Sequence, residues 1–67
     1  MKIKEVEKQL SISSHALRYY EKMHLIHPHR DENGYRDYNM QDIDRLKKIR
    51  FLRELEIPIE DIAAILD

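Results

Sequence analysis

The chain has 67 residues, with 12 Lys and Arg against 13 Asp and Glu, a formal net charge of −1 and no cysteine. That length holds one small core and leaves little room for a second site-bearing domain or a shielded reaction centre. Without thiols, neither disulfides nor thiolate metal sites can supplement the core, and the near-neutral total excludes the overall basic field that nucleic-acid binders usually carry.

The charge is unevenly placed. Residues 1–36 hold seven Lys and Arg against five Asp and Glu, whereas residues 54–67 hold Glu54, Glu56, Glu60, Asp61 and Asp67 with no cation. Between them Arg45, Lys47, Lys48, Arg50 and Arg53 follow one another with only apolar residues between. A phosphate backbone senses such a local face and not the total, although a solvated helix face gives the same run. No apolar run approaches the ~18 residues of a membrane span, and the start of the chain lacks a signal-peptide core, so a cytoplasmic protein is expected.

The first predicted helix is short, roughly Ile3 to Gln9, with Ile3, Val6 and Leu10 at helical spacing. Ser13 suits the N-cap of a second helix over about Ser14 to Met23, because its hydroxyl can accept a free backbone N–H of the first turn. Two helices joined by so short a turn form the helix-turn-helix outline. On the second helix, Ala16, Leu17, Tyr20 and Met23 fall on one side and His15, Arg18, Tyr19 and Lys22 on the other. The first set suits a core. The second gathers long hydrogen-bonding side chains of the kind that reach base edges and phosphates, or forms an ordinary polar face.

A hairpin follows, with Asn33-Gly34 predicting a two-residue type I′ turn between Ile26–Arg30 and Tyr35–Tyr38. Pro28 restricts the first of these segments to an edge. Arg30, Tyr35, Arg36 and Tyr38 are expected on its exposed surface, where a mixture of cations and phenols suits phosphate contact, with cross-strand packing as the alternative for the tyrosines. A third helix opens at Asn39, paired with Asp42, and runs to about Leu55, burying Ile43, Leu46, Ile49, Leu52 and Leu55. Pro58 starts a fourth, whose inner face is Ile59, Ile62, Ala63 and Leu66. The reading is one mainly α domain over residues 1–67: helix-turn-helix about 3–23, wing about 25–38, and helices about 40–55 and 58–66.

In this order, Ala16-Leu17-Arg18-Tyr19-Tyr20-Glu21, Leu25-Ile26, Asn33-Gly34-Tyr35-Arg36-Asp37-Tyr38, Asp42-Ile43-Asp44-Arg45-Leu46 and Leu52-Arg53-Glu54-Leu55 closely resemble the N-terminal domain of MerR-type transcriptional regulators. The resemblance covers essentially the whole chain and implies a winged helix-turn-helix: four helices, with a two-stranded wing between the second and third. It implies a dimeric bacterial regulator whose second helix enters the major groove of double-stranded DNA while the wing follows the backbone. His15, Arg18 and Tyr19 would then face the groove, Arg36 and Tyr38 would meet phosphates from the wing, and Arg53 would do so from the third helix.

Two positions depart from the family pattern. His24 and Ser11 stand where glycine is common, and the position of His24 calls for a left-handed backbone, which histidine adopts with strain. The family also carries a long dimerisation helix after such a head, and this sequence ends at Asp67, so a fragment or a minimal relative is expected, with the homodimer made through that further helix. The implied partners are a promoter or operator duplex with an inverted repeat, and RNA polymerase. No cofactor, membrane or catalysis is implied, and the implied mechanism is promoter distortion that realigns elements set too far apart.

Other readings stay open at this point. An excisionase-like architectural protein keeps the fold and changes the role, and a protein-interaction module fits the acidic tail. His24, His27 and His29 raise a metal site, but no fourth ligand and no helical His pair accompany them.

Overall fold

Helix boundaries in this chain are set by side chains and turns that satisfy otherwise unpaired backbone groups. The computed structural model describes residues 1–67 and contains α1 (Ile3–Leu10), α2 (Ser14–Lys22), β1 (His29–Arg30), β2 (Arg36–Asp37), α3 (Met40–Glu54) and α4 (Ile59–Leu66). At the start of α1, the Glu5 carboxylate accepts the Lys2 N–H. Ser13 caps α2, its hydroxyl accepting the Ala16 N–H at 3.0 Å. Asn39 and Asp42 form a reciprocal capping box on α3, at 2.8 and 2.9 Å. Pro58 occupies the N-cap of α4.

Two helix ends share a second device. After α2 the Leu25 N–H reaches back to the Tyr20 carbonyl and the His24 N–H to that of Glu21; after α3 the Ile57 and Glu56 N–H groups do the same to Leu52 and Arg53. This 6→1, 5→2 pattern needs a left-handed residue just past the cap. His24 and Glu56 fill that role at φ 62°, and Ser11 closes α1 at φ 55°. The left-handed backbone expected at His24 is therefore present, in a residue with a Cβ.

The wing differs from its expected form. Its strands are two residues each, antiparallel, with His29 opposite Asp37 and Arg30 opposite Arg36. Gly34 has φ 85° but Asn33 does not take a positive φ, so the two-residue type I′ turn is absent. Asp31 is the reason. Its carboxylate accepts the Asn33 and Tyr35 N–H groups at 2.9 and 3.0 Å, while its own N–H pairs with the Tyr35 carbonyl. The result is a three-residue loop in which only the last position, Gly34, is left-handed. The hairpin is anchored at its exit: the Met1 ammonium donates to Asp37 at 2.7 Å and to the Tyr38 carbonyl at 2.9 Å, and the Tyr38 N–H returns a bond to the Met1 carbonyl.

The core gathers residues from every helix: Val6 and Leu10 of α1, Leu17 of α2, Ile43, Leu46 and Ile49 of α3 and Ile62 of α4. Ile12, Leu25, Ile26 and Tyr38 from the connections complete it. Tyr38 corrects the expectation of an exposed wing tyrosine. It is 2% exposed and belongs to the buried cluster that joins the helices. Leu55 and Met23, both expected inside, are 58% and 40% exposed, because each is the C-cap residue where its helix has already left the core. No helix is long and apolar enough to cross a membrane.

Candidate nucleic-acid interface

Spacing on α2 puts His15, Arg18, Tyr19 and Lys22 along one helix face at i, i+3, i+4 and i+7. All four are exposed, and no hydrogen bond or ion pair within the chain engages any of their side chains. The opposite face is fixed by Leu17 in the core and by Ala16 and Tyr20 packed against it. The Glu7 carboxylate of α1 accepts the Ser14 N–H at 2.7 Å, which sets the entry of α2 against α1. The result is a helix held firmly from behind, presenting two cations, a phenol and an imidazole whose polar groups have no hydrogen-bond or ion-pair partner within the chain.

The structure adds neighbours on both flanks. On one side Arg53 of α3 lines a shallow groove of about 370 Å³ with His15, Tyr19 and Ile59. One Nη of Arg53 donates to the Ile57 carbonyl at 2.9 Å, which steadies the side chain while leaving it exposed. On the other side, Glu21 of α2 receives both wing arginines: Arg36 Nε at 2.5 Å on one carboxylate oxygen and Arg30 at 3.4 Å on the other. Tyr35, 67% exposed, stands at the loop end of the wing. His15, Arg18, Tyr19, Lys22 and Arg53 are thus drawn together around α2, and Arg30 and Arg36 are joined to the same helix by an acid.

Tyr38 lies outside this surface. Its hydroxyl is buried and has no hydrogen-bond partner, and burial pushes its ionisation above the ordinary phenol range. A phosphate cannot reach it in this conformation.

The cationic run of α3 divides by function. Arg45 Nε donates to the Leu25 carbonyl, with an Nη on Asp67 at 2.9 Å, and Arg50 donates to the carbonyl of Leu10, the last residue of α1. Both guanidinium groups are half-buried and satisfy carbonyls at or beyond a helix end, where the backbone dipole favours a cation. They hold the helix-turn-helix onto α3, and Lys47 and Lys48 remain as exposed charges. The local density of cations is therefore lower than the sequence suggests.

Two residues of this region have roles that the sequence alone does not display. Glu21 belongs to the family motif, but its partners lie 9 and 15 residues away. Asp31 carried a readable signal: an Asp two residues before Asn-Gly commonly binds the backbone that follows. Lys2 completes it, donating to the second Asp31 oxygen and holding that carboxyl below its usual range together with the Tyr35 and Asn33 N–H groups. His24 and His27 stand with ring centroids 6.0 Å apart, and no cluster of three metal-ligating side chains forms around them.

The model of the MerR HTH family of regulatory proteins matches residues 1–67. The transcriptional regulator SkgA of Caulobacter vibrioides is 41% identical over 66 residues, covering 97% of this chain but only 26% of SkgA. The solved N-terminal part of MtaN, a multidrug transporter activator of Bacillus subtilis, superposes with a TM-score of 0.95 at 29% identity, over 100% of this chain and 64% of that one. HiNmlR, a MerR family regulator lacking the sensor domain and solved bound to promoter DNA, gives 0.90 at 26% identity, over 97% of this chain and 50% of that one. With the family pattern matched from end to end and the same winged fold in both solved relatives, this chain belongs to the MerR family of helix-turn-helix regulatory proteins.

Proposed function

We propose that this chain is the DNA-reading head of a cytoplasmic transcriptional regulator, without catalytic activity. In this reading His15, Arg18, Tyr19 and Lys22 enter the major groove, Arg30, Tyr35 and Arg36 follow the flanking backbone, and Arg53 meets a phosphate beside α2. The observation that carries it is the uncommitted face of α2: four long polar side chains on a rigid helix, none with an internal partner. A polar group exposed this way makes its hydrogen bonds to water or to a ligand, and a helix of this diameter fits a major groove.

One head offers few phosphate contacts, so tight binding comes from two copies on an inverted repeat. The regulator role is preferred to an excisionase-like role because the relatives named above are regulators. Promoter distortion by the bound dimer, with RNA polymerase as the second partner, is the mechanism that follows for the whole protein.

The experiment is selection from a randomised duplex pool at two salt concentrations, with the retained sequences read out. Enrichment of an inverted repeat that fades as salt rises is the expected result. If low salt retains no duplex, and fusion to a dimerising coiled coil does not restore retention, the assignment of α2 as a groove-reading helix fails.

A further inference from the structure

The register of the wing places Arg30 directly opposite Arg36. Like charges so paired repel, and two-residue strands provide too little ladder to hold them together. Glu21 resolves the conflict from outside the hairpin, taking one arginine on each carboxylate oxygen. The geometry is selective about which donors it uses. Arg36 gives Nε to Glu21 and keeps both Nη groups without a partner; Arg30 gives one Nη to Glu21 and the other to the Gly34 carbonyl at 3.3 Å. Side chains of Arg36 and Glu21 are each about one quarter exposed, so the pair is partly shielded but not enclosed.

We propose that Glu21 is a positioning residue for DNA binding: from the recognition helix it fixes the orientation of the Arg30 and Arg36 guanidinium groups, and so sets where the wing meets the phosphate backbone relative to the groove-reading side chains. The inference rests on the DNA-binding reading above. It explains why an acid sits on a helix meant to approach a polyanion, where its bare charge would oppose binding. A guanidinium held at Nε presents its remaining N–H groups in a fixed fork, so less side-chain freedom is lost when a phosphate oxygen arrives. Because the carboxylate belongs to α2, the backbone contact is registered to the base contact.

The test compares the wild-type chain with Glu21→Gln on a selected duplex and on a random duplex at low salt. Glu21→Gln removes a negative charge and nearly preserves shape, so charge alone makes every duplex bind more tightly with an unchanged ratio. Positioning makes the opposite prediction for the selected duplex: its affinity falls about tenfold relative to the random one, because only the selected duplex requires the wing contact to stay in register with the base contacts. A side-chain readout accompanies it. The Arg36 Nε–H resonance is protected from exchange in the wild type and loses that protection in Glu21→Gln.

Thermal unfolding verifies that the variant folds. If it does not, Arg36→Lys, which keeps the charge and loses the oriented fork, must show the same loss of ratio with an unchanged salt slope. Tighter binding of Glu21→Gln to both duplexes with the ratio preserved overturns the inference and leaves the DNA-binding reading intact. Failure of the wild-type chain to bind either duplex, even when fused to a dimerising coiled coil, overturns both.

Discussion

Replacing Tyr38 by Phe separates a wing tyrosine that touches DNA from one that belongs to the core. The ring is enclosed and the substitution leaves it in place, so no cavity opens and packing is unchanged. What disappears is a buried hydroxyl with no hydrogen-bond partner. Keeping such a group out of water costs ~1–3 kcal/mol in mutational data, and partial hydration or local relaxation brings the recoverable part to about 1 kcal/mol. In a domain of this size that gain raises the melting temperature by roughly 4–8 °C. Thermal unfolding followed by circular dichroism gives the shift, and urea unfolding at one temperature gives the free energy independently. Duplex binding of the same variant should be unchanged on every sequence. A lower melting temperature, or a uniform loss of affinity of the kind a missing phosphate contact produces, would refute the assignment of Tyr38 to the core.

Arg36→Ala should weaken binding to all duplexes and make the salt dependence shallower by about one counterion, whereas His15→Ala should alter sequence preference more than overall affinity; competition assays at several salt concentrations distinguish them, and equal effects of His15→Ala on selected and random DNA would remove it from the groove. At the left-handed cap, His24→Gly should stabilise the domain by about 0.5 kcal/mol, the relief of strain being offset in part by a more flexible unfolded chain, while His24→Val should destabilise it by at least ~1 kcal/mol. Equal urea midpoints for the Gly and Val variants would contradict the backbone argument. Acid should loosen the wing. Lys2 holds the Asp31 carboxyl below its usual range, and the Met1 ammonium does the same for Asp37. A carboxyl whose ionisation is lowered on folding stabilises the fold above its unfolded value of about pH 4, and that contribution is lost as pH falls through the folded values. Carboxyl carbon shifts of Asp31 and Asp37 should therefore titrate below those of an unfolded aspartate, together with the amides of residues 29–37, and midpoints at or above the unfolded value would remove this account of how the wing is held.

The helices were legible because their boundaries are written in local chemistry. Ser13, the Asn39–Asp42 pair and Pro58 each satisfy or omit a backbone group at a defined place, and the apolar spacing of Val6 and Leu10, or of Ile43, Leu46 and Ile49, needs no knowledge of the rest of the fold. The face of α2 was equally readable, since i, i+3, i+4 and i+7 fix a direction once the helix exists. The wing was not. Asn33-Gly34 favours one turn, but the carboxylate of Asp31 offers the backbone another, and a dipeptide rule cannot weigh that competition. Strands of two residues carry no usable alternation, so which wing tyrosine faces inward was undetermined, and the structure buries Tyr38 while leaving Tyr35 in solvent. Pairings across long intervals of chain, such as Arg50 with Leu10 or Glu21 with Arg36, follow from tertiary placement, which is why the α3 cations read as one stripe in sequence and serve several purposes in the fold.

The bond between the Met1 ammonium and the wing has a practical side. Any tag, dye or carrier joined ahead of Met1 converts that ammonium into a neutral amide, deleting the charge that Asp37 faces and crowding the Tyr38 carbonyl. Protein purified with such an attachment would lack this ion pair at the exit of the wing. Enzymatic removal that leaves even one foreign residue would not restore the contact, since the amine would then stand one residue too far from its partners. Labelling at exposed Lys47 or Lys48 avoids the problem.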